Sequence, residues 1–193
     1  MRRAQPLLVI VAMSVAGLSA VVPAQAARPI ARFTAFAVDM SNMARRVRTG
    51  TIDVVVNRWS TDQERDRLLA ALREKGSDGL LSELQKIKDD VGYVQTPGNV
   101  GYPLRYAREI PSGDGRRIII ATDRPISFLE AVNQPMTTDY PFMVIDMRLN
   151  AKGEGDGKLM PVAKITANEE HGVDIENWAS EPVRLTSIKE VKP

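Results

Sequence analysis

Six side chains next to predicted strand ends have the chemistry to hold a ligand. Two of these places have an arginine followed by an aromatic residue, and at the third an aspartate–arginine pair follows an apolar strand. A guanidinium group beside an aromatic ring can bind a carboxylate or a flat ligand, and strand ends at a barrel mouth are common binding positions. The plainer alternative is an ion-paired turn and a tryptophan packed under helices. The candidate ligand-binding residues are Arg58, Trp59, Arg105, Tyr106, Asp123 and Arg124.

The glycine-rich segment 153–158 can be compared with phosphate and calcium loops. A phosphate loop has Ser or Thr after its lysine and opens a helix, whereas here Leu159 follows the lysine and begins a strand-like stretch. A calcium loop supplies oxygen ligands at alternate positions, and this stretch offers only Asn150, Glu154 and Asp156. Glycine and aspartate tolerate positive φ, so the segment predicts a plain hairpin turn.

The chain holds a single histidine, His171, within the polar sequence Asn-Glu-Glu-His-Gly. A Ser-His-Asp triad needs only one imidazole, but the sequence has no G-x-S-x-G elbow, and the neighbours of His171 predict an exposed turn. Acidic residues are scattered without the focused pair that glycoside cleavage requires. Without cysteine, a zinc site is not expected. We therefore predict no catalytic residue, no metal ligand and no cofactor.

The first 26 residues have the features of an export signal. Arg2 and Arg3 precede an apolar stretch over 7–22, and Ala24-Gln25-Ala26 supplies a small-x-small cleavage site. The rival interpretation is an uncleaved anchor, but the 16-residue stretch is shorter than the roughly 20 residues that span a bilayer. We predict cleavage after Ala26, location in the periplasm or outside the cell, and no stable membrane insertion afterwards.

The charge balance argues against nucleic acid as a partner. The whole chain has 26 basic and 24 acidic residues, and the two arginines of the predicted signal are its only charged residues. After cleavage, 24 basic residues would face 24 acidic ones, so the remaining chain would carry no net charge and no general attraction to nucleic acid or anionic lipid. The local cluster Arg45, Arg46 and Arg48 predicts a solvated turn between strands.

Alternating apolar residues predict most of the secondary structure as β-strands. The clearest case is 50–59, where Ile52, Val54 and Val56 share one face. Residues 126–132 could form a strand or a single helical turn. The sequence also favours a hairpin of 140–150 with 158–166, and a last strand pair of 173–179 with 182–191. The remaining predicted strands are 32–40, 101–110 (irregular at Pro103) and 116–122.

The helical signals are confined to about 61–90. Two overlapping capping boxes, Ser60 with Gln63 and Thr61 with Glu64, precede leucines at helical spacing. Lys75 and Gly76 are suited to end that helix, and leucines resume at helical spacing until about residue 89. We therefore predict a helical hairpin.

Together these elements predict one α+β domain over 27–193. Its expected architecture is an antiparallel curved sheet or partly closed β-barrel of seven to nine strands with one inserted helical hairpin. The 167 residues of this domain are enough to build a hydrophobic core without disulfides.

Two stretches, GTIDVVVNRWSTDQERDRLLAAL and IIIATDRPISF, carry a resemblance to known sequences. Here, and over most of the chain down to PVRLT at 182–186, the sequence resembles a set of short uncharacterised exported bacterial proteins. The resemblance implies a bacterial envelope setting and a single folded unit. It implies no activity and transfers no functional residues.

The leading hypothesis is a non-enzymatic exported envelope protein whose sheet, under the helices, binds a small apolar or amphipathic ligand. It rests on Trp59, Tyr106 and the strand methionines Met143 and Met147, which could adapt to a ligand, although sheet methionines more often belong to the core. The first alternative is a protein–protein interaction module of the cell envelope, which would use an edge strand or an exposed patch. The second alternative is a hydrolase that uses scattered carboxylates and His171. An apolar cavity of roughly 300 Å³ or more would favour ligand binding, and a filled core would favour the module.

Overall fold

The computed structural model describes residues 28–40, 47–89, 91–124, 139–170, 172–179 and 181–191. The signal segment, Arg45, Arg46, His171 and the expected element over 126–132 lie outside these ranges. The described elements, in chain order, are β1 (Ala31–Asp39), β2 (Arg48–Val56), α1 (Asp62–Lys86), β3 (Gly92–Gln95), β4 (Tyr102–Pro103), β5 (Tyr106–Ser112), β6 (Gly115–Thr122), β7 (Phe142–Leu149), β8 (Glu154–Asn168), β9 (Gly172–Asn177) and β10 (Val183–Val191).

All the strands belong to one antiparallel sheet. Their order is β4-β3-β2-β1-β10-β8-β7-β6-β5, and β9 pairs with β8 beside this path. Nine strands form this path, which agrees with the expected seven to nine, and β9 is a tenth strand beside it. The strand β3 was not predicted, and the predicted strand 101–110 is divided into β4 and β5. The prediction that β9 and β10 pair with each other is wrong. Both pair with β8, one after the other along the same edge, since β8 is long enough to hold both.

The two ends of this strand order meet in one stretch of chain. β4 lies at one end and β5 at the other, yet only Leu104 and Arg105 separate them. The amide of Leu104 donates to the carbonyl of Gly92 on β3 at 2.8 Å, and the amide of Arg105 donates to the carbonyl of Ala121 on β6 at 3.0 Å. The sheet therefore curls into a partly closed barrel, which confirms the coarse fold expected from the sequence.

Large apolar side chains occupy the inside of the curled sheet. On β2 the predicted face is correct, because Ile52, Val54 and Val56 are each at most 1% exposed. Met143 and Met147 are also fully buried there, so they belong to the core. Interior positions of small barrels are normally filled by side chains in this way.

The helix α1 begins at one of the two predicted capping boxes. The side chain of Thr61 accepts from the amide of Glu64, and the Glu64 carboxylate accepts from the amide of Thr61. The structure has one helix where the sequence predicts a hairpin of two, with a single non-helical residue, Gly76 (φ 64°, ψ −155°), inside it. Across this interruption Arg67 and Glu83 form an ion pair at 3.6 Å, although a straight helix would separate them by about 24 Å. The helix ends at Lys86, three residues before the expected end.

The glycine-rich segment joins β7 to β8 as a tight hairpin. The turn covers residues 150–153, where Gly153 has φ +77° and the Asn150 side chain accepts from the amides of Lys152 and Glu154. Gly155 and Gly157 already belong to β8 and pair with β7. The predicted turn is therefore confirmed, but it is shorter than the glycine run.

Among the described residues, no helix combines the length and the apolar character needed to cross a membrane.

Candidate functional site

An apolar groove of about 270 Å³ lies between α1 and the face of the sheet that points away from the barrel interior. Both its helical wall and its sheet wall consist almost entirely of apolar side chains, with two arginines among them. The lining residues are Arg65, Leu68, Leu69, Leu72, Leu80, Leu84, Tyr106, Ile110, Arg117, Ile119, Ala121, Val144, Ile165, Val173 and Ile175.

The sheet wall exists because β6 is apolar on both faces. Ile118 and Ile120 point into the barrel and are fully buried, whereas the alternate residues Ile119 and Ala121 line the groove. Successive side chains of a strand point to opposite faces, so the continuous run Ile118–Ala121 supplies the core and the groove at once. The register places Val144 of β7 opposite Ala121, which extends the same face across the sheet.

The helical wall comes from the leucine stripe on both sides of Gly76. Leu68 and Leu72 precede the interruption, and Leu80 and Leu84 follow it. Near the interruption the Ser77 hydroxyl donates to the carbonyl of Ile165 on β8 at 2.6 Å, which holds α1 against the sheet. The leucines are at most 6% exposed, yet their side chains do not fill the space above β5, β6 and β9.

Among the described residues that line the groove, Tyr106 is the only one with an uncharged polar side chain. Burial raises the pKa of its phenol above the ordinary value, and the nearby Arg108 acts in the opposite direction. Tyr106 lies opposite Ala121 in the β5–β6 register, so it stands at the β5 margin of the groove. Within the described part of the chain its hydroxyl has no hydrogen-bond partner, so it can bond to a molecule in the groove.

Both arginines of the lining are neutralised by carboxylates of this chain. Arg117 donates to Asp146 through two nitrogens, at 2.9 and 2.8 Å, and these hydrogen bonds raise its pKa. Arg65 lies 2.7 Å from Asp66 and 3.4 Å from Asp62. The groove therefore presents hydrocarbon surface with little uncompensated charge.

The sequence-predicted residues collect at one end of the barrel, and Arg58 there joins both ends of α1. Its guanidinium group donates to Glu64 at 3.0 and 2.9 Å, and it lies 3.8 Å from Asp89 beyond the helix. The hydrogen bond raises the pKa of Arg58 and lowers that of Glu64. Trp59 is partly buried and packs against the core.

Arg105, Asp123 and Arg124 form the other half of this end of the barrel. Arg105 lies 3.2 Å from Asp123 and donates to the carbonyl of Ile87, the residue that caps α1. Arg124 lies over the ring of Tyr102, 5.7 Å from its centroid. Asp123 is thus bound to Arg105 rather than to its neighbour Arg124.

Of the six predicted residues, only Tyr106 lines the groove. Arg58 and Arg105 contact the ends of α1. Trp59, Asp123 and Arg124 make other contacts within the chain. The signal for the groove was present in the sequence as the run Ile118–Ala121, whose lack of alternation indicates a strand covered on both faces.

A second depression lies at the margin formed by β3 and β4. It measures about 310 Å³, is lined by Gly92, Tyr93, Gln95, Gly101 and Pro103, and opens widely to solvent. Its larger volume therefore reflects open space rather than enclosure, and the groove under α1 is the better candidate site.

No group of three or more acidic or histidine side chains in the described ranges could hold a metal ion. Comparison with known proteins finds no matching family model, no matching curated protein and no matching solved structure. The site therefore has to be interpreted from its own geometry.

Proposed function

We propose that this chain is a non-enzymatic exported envelope protein that binds a small apolar or amphipathic ligand in the groove between α1 and the sheet. The observation that supports it best is the groove itself, with about 270 Å³ of space between two apolar walls. Ligand pockets usually measure roughly 300–1,000 Å³, so the groove lies just below that range and below the threshold set from the sequence, and it suits only a small ligand.

Hydrophobic burial supplies the driving force for this binding. Each Å² of apolar surface removed from water contributes about 25 cal/mol, so the partly exposed side chains of the lining favour an apolar occupant. These are Leu69, Ile119, Val173 and Ile175. Charge plays little part, because Arg65 and Arg117 are already paired.

The two segments of α1 act in this proposal as a helical hairpin that covers the ligand. The Arg67–Glu83 ion pair supports this arrangement, since it joins residues on either side of Gly76. A Cβ atom added at Gly79 would lie 2.6 Å from the carbonyl oxygen of Ala71, so the two segments of α1 approach each other closely near the interruption. The bonds from Arg58 and Arg105 would hold the two ends of this cover on the barrel.

The proposal is tested by titrating the detergent-free purified chain with N-phenyl-1-naphthylamine, a neutral apolar fluorophore. We expect saturable 1:1 binding that decanol displaces. Val173→Trp places a large ring in the groove from the edge strand β9 and is expected to weaken binding at least tenfold. Asp174→Trp is the matched control, because this neighbour is exposed on the opposite face of β9. Absence of saturable binding to the folded chain, or equal weakening by both variants, would refute the proposal.

The second candidate remains a protein–protein interaction module of the envelope. The observation that favours it is the filled barrel interior together with exposed aromatic side chains, since Phe36 and Trp178 are each 44% exposed. Size-exclusion chromatography with light scattering, on chain isolated from an envelope fraction, separates the two candidates. The interaction module would be favoured if the chain forms a defined complex with another protein, Phe36→Ser disrupts that complex, and the fluorophore does not bind.

A further inference from the structure

We infer that the ligand of the groove is a single-chain amphiphile with an uncharged polar head, whose head hydrogen-bonds to the hydroxyl of Tyr106. This inference rests on the proposed function and adds the chemical class of the ligand and its orientation. Three features support it: the volume of the groove, the pairing of its two arginines and the position of Tyr106.

The volume limits the length of the chain. A space of about 270 Å³ holds about nine units the size of a water molecule, which occupies about 30 Å³ in the liquid. A methylene group is of similar size, so an alkyl chain of about nine carbons fills the groove. A second chain or a peptide helix of about 10 Å diameter exceeds this space.

The pairing of the arginines disfavours an anionic head. A carboxylate or phosphate at Arg117 would have to replace Asp146, which already accepts two hydrogen bonds from it at 2.9 and 2.8 Å. At Arg65, Asp62 and Asp66 would repel a third negative charge. An anionic head would therefore lose its hydration without gaining a free cation, which a neutral hydroxyl or ester avoids.

Tyr106 supplies a polar contact that suits a neutral head. A phenol can donate one hydrogen bond and accept another, so it satisfies an alcohol or an ester carbonyl. Its position at the β5 margin leaves the isoleucine and valine wall of β6, β7 and β9 for the alkyl chain. The head would therefore lie at β5 and the chain would extend under α1 towards β8 and β9.

The test is displacement of bound N-phenyl-1-naphthylamine by two matched series, the n-alkanols and the n-alkanoates of six to eleven carbons. We expect the alkanols to bind about fourfold more tightly for each added methylene, since each contributes about 0.8 kcal/mol, up to about nine carbons and to level off beyond. At equal chain length the alkanol is expected to bind at least tenfold more tightly than the alkanoate at pH 7.

The position of the head is tested by Tyr106→Phe, with Tyr93→Phe as the matched control in the depression at β3 and β4. Tyr106→Phe is expected to weaken nonanol binding about three- to tenfold and to leave the dependence on chain length unchanged, whereas Tyr93→Phe changes neither. Thermal unfolding of both variants checks that each remains folded, and the removal of one oxygen from a tyrosine keeps the packing.

Each outcome separates this inference from the proposed function. If the fluorophore binds but the alkanoates match or exceed the alkanols, the groove binds ligands and the neutral head is wrong. If affinity continues to rise fourfold per methylene through eleven carbons, or if Tyr106→Phe has no effect on nonanol, the length or the orientation is wrong. If the fluorophore itself does not bind, the proposed function fails.

Discussion

Glu64 offers the sharpest test of how α1 is held on the barrel. Its carboxylate accepts two hydrogen bonds from Arg58, at 3.0 and 2.9 Å, a third from the amide of Thr61 at 2.8 Å and a longer fourth from the Thr61 hydroxyl at 3.3 Å. Its side chain is only 15% exposed. Glu64→Ala removes all four bonds at the start of α1.

The expected loss of stability follows from these contacts. The reciprocal cap contributes about 1 kcal/mol, and hydrogen bonds to charged groups contribute about 1.5–3 kcal/mol, so Glu64→Ala should lower the free energy of unfolding by about 2–4 kcal/mol. Glu64→Gln keeps an acceptor for the Thr61 amide and loses only the charge, which should cost about 1–2 kcal/mol because Asp89 remains near Arg58. For a domain of this size each kcal/mol corresponds to about 2–4 °C in Tm.

The loss should depend on pH in a defined direction. Arg58 holds the pKa of the Glu64 carboxyl below its ordinary value. The stabilisation is therefore fully present above the unfolded-state pKa of about 4.3 and is lost as the pH falls through the folded-state pKa. Wild type should exceed Glu64→Gln in stability at pH 7, and the difference should shrink steadily below about pH 4.5.

Urea denaturation followed by tryptophan fluorescence, at pH 7 and at steps down to pH 3, measures both effects. Glu74→Gln is the matched control, because Glu74 lies on the same helix, is 71% exposed and forms only a long 3.9 Å ion pair, with Lys75, among the described residues. We expect it to change the free energy of unfolding by less than about 0.5 kcal/mol. Equal effects of the two Gln variants, or a Glu64→Gln effect that stays constant down to pH 3, would refute the reasoning.

Two further predictions concern the sheet and its contact with α1. A Cβ at Gly155 would lie 1.9 Å from the carbonyl oxygen of Arg148, so Gly155→Ala should destabilise the fold by about 3 kcal/mol or more. Gly98 has φ +81° and open space around it, so Gly98→Ala should cost only about 1–2 kcal/mol. Thermal unfolding measures both losses, and equal losses would contradict this prediction. Ser77→Ala removes the 2.6 Å hydrogen bond to the Ile165 carbonyl and should lower the free energy of unfolding by about 1 kcal/mol. Amide hydrogen exchange in the second half of α1 should become faster. Unchanged exchange there would show that the bond does not anchor the helix.

Local patterns predicted most of the elements. The alternation in 50–59 identified β2 and its buried face, and the two overlapping capping boxes located the start of α1 to within one residue. The element β3 was missed because Gly92–Gln95 has only four residues, too few to display a period. Its pairing with β2 is decided by the distant partner strand rather than by its own sequence.

The six candidate residues show where local reasoning about a site ends. The sequence identified them as strand-end residues, and the structure places them at one end of the barrel. Arg58 and Arg105, however, are bound by Glu64 and Asp123, which are 6 and 18 residues away in the chain. The partner of a side chain depends on how the elements pack. The sequence around an arginine therefore does not show whether that arginine is paired within the fold or open to a ligand.

The sequence by itself determined the strand-rich composition, the start of α1, the interruption at Gly76 and the apolar run Ile118–Ala121, because each depends on residues close together in the chain. Only the tertiary structure decided that the ends of the sheet meet between β4 and β5, that β9 and β10 share one edge of β8, and that the outer face of β6 becomes a groove under α1. These features depend on contacts between residues far apart in the chain. Such contacts form where the whole set of apolar faces can be buried together, and no single segment encodes that arrangement.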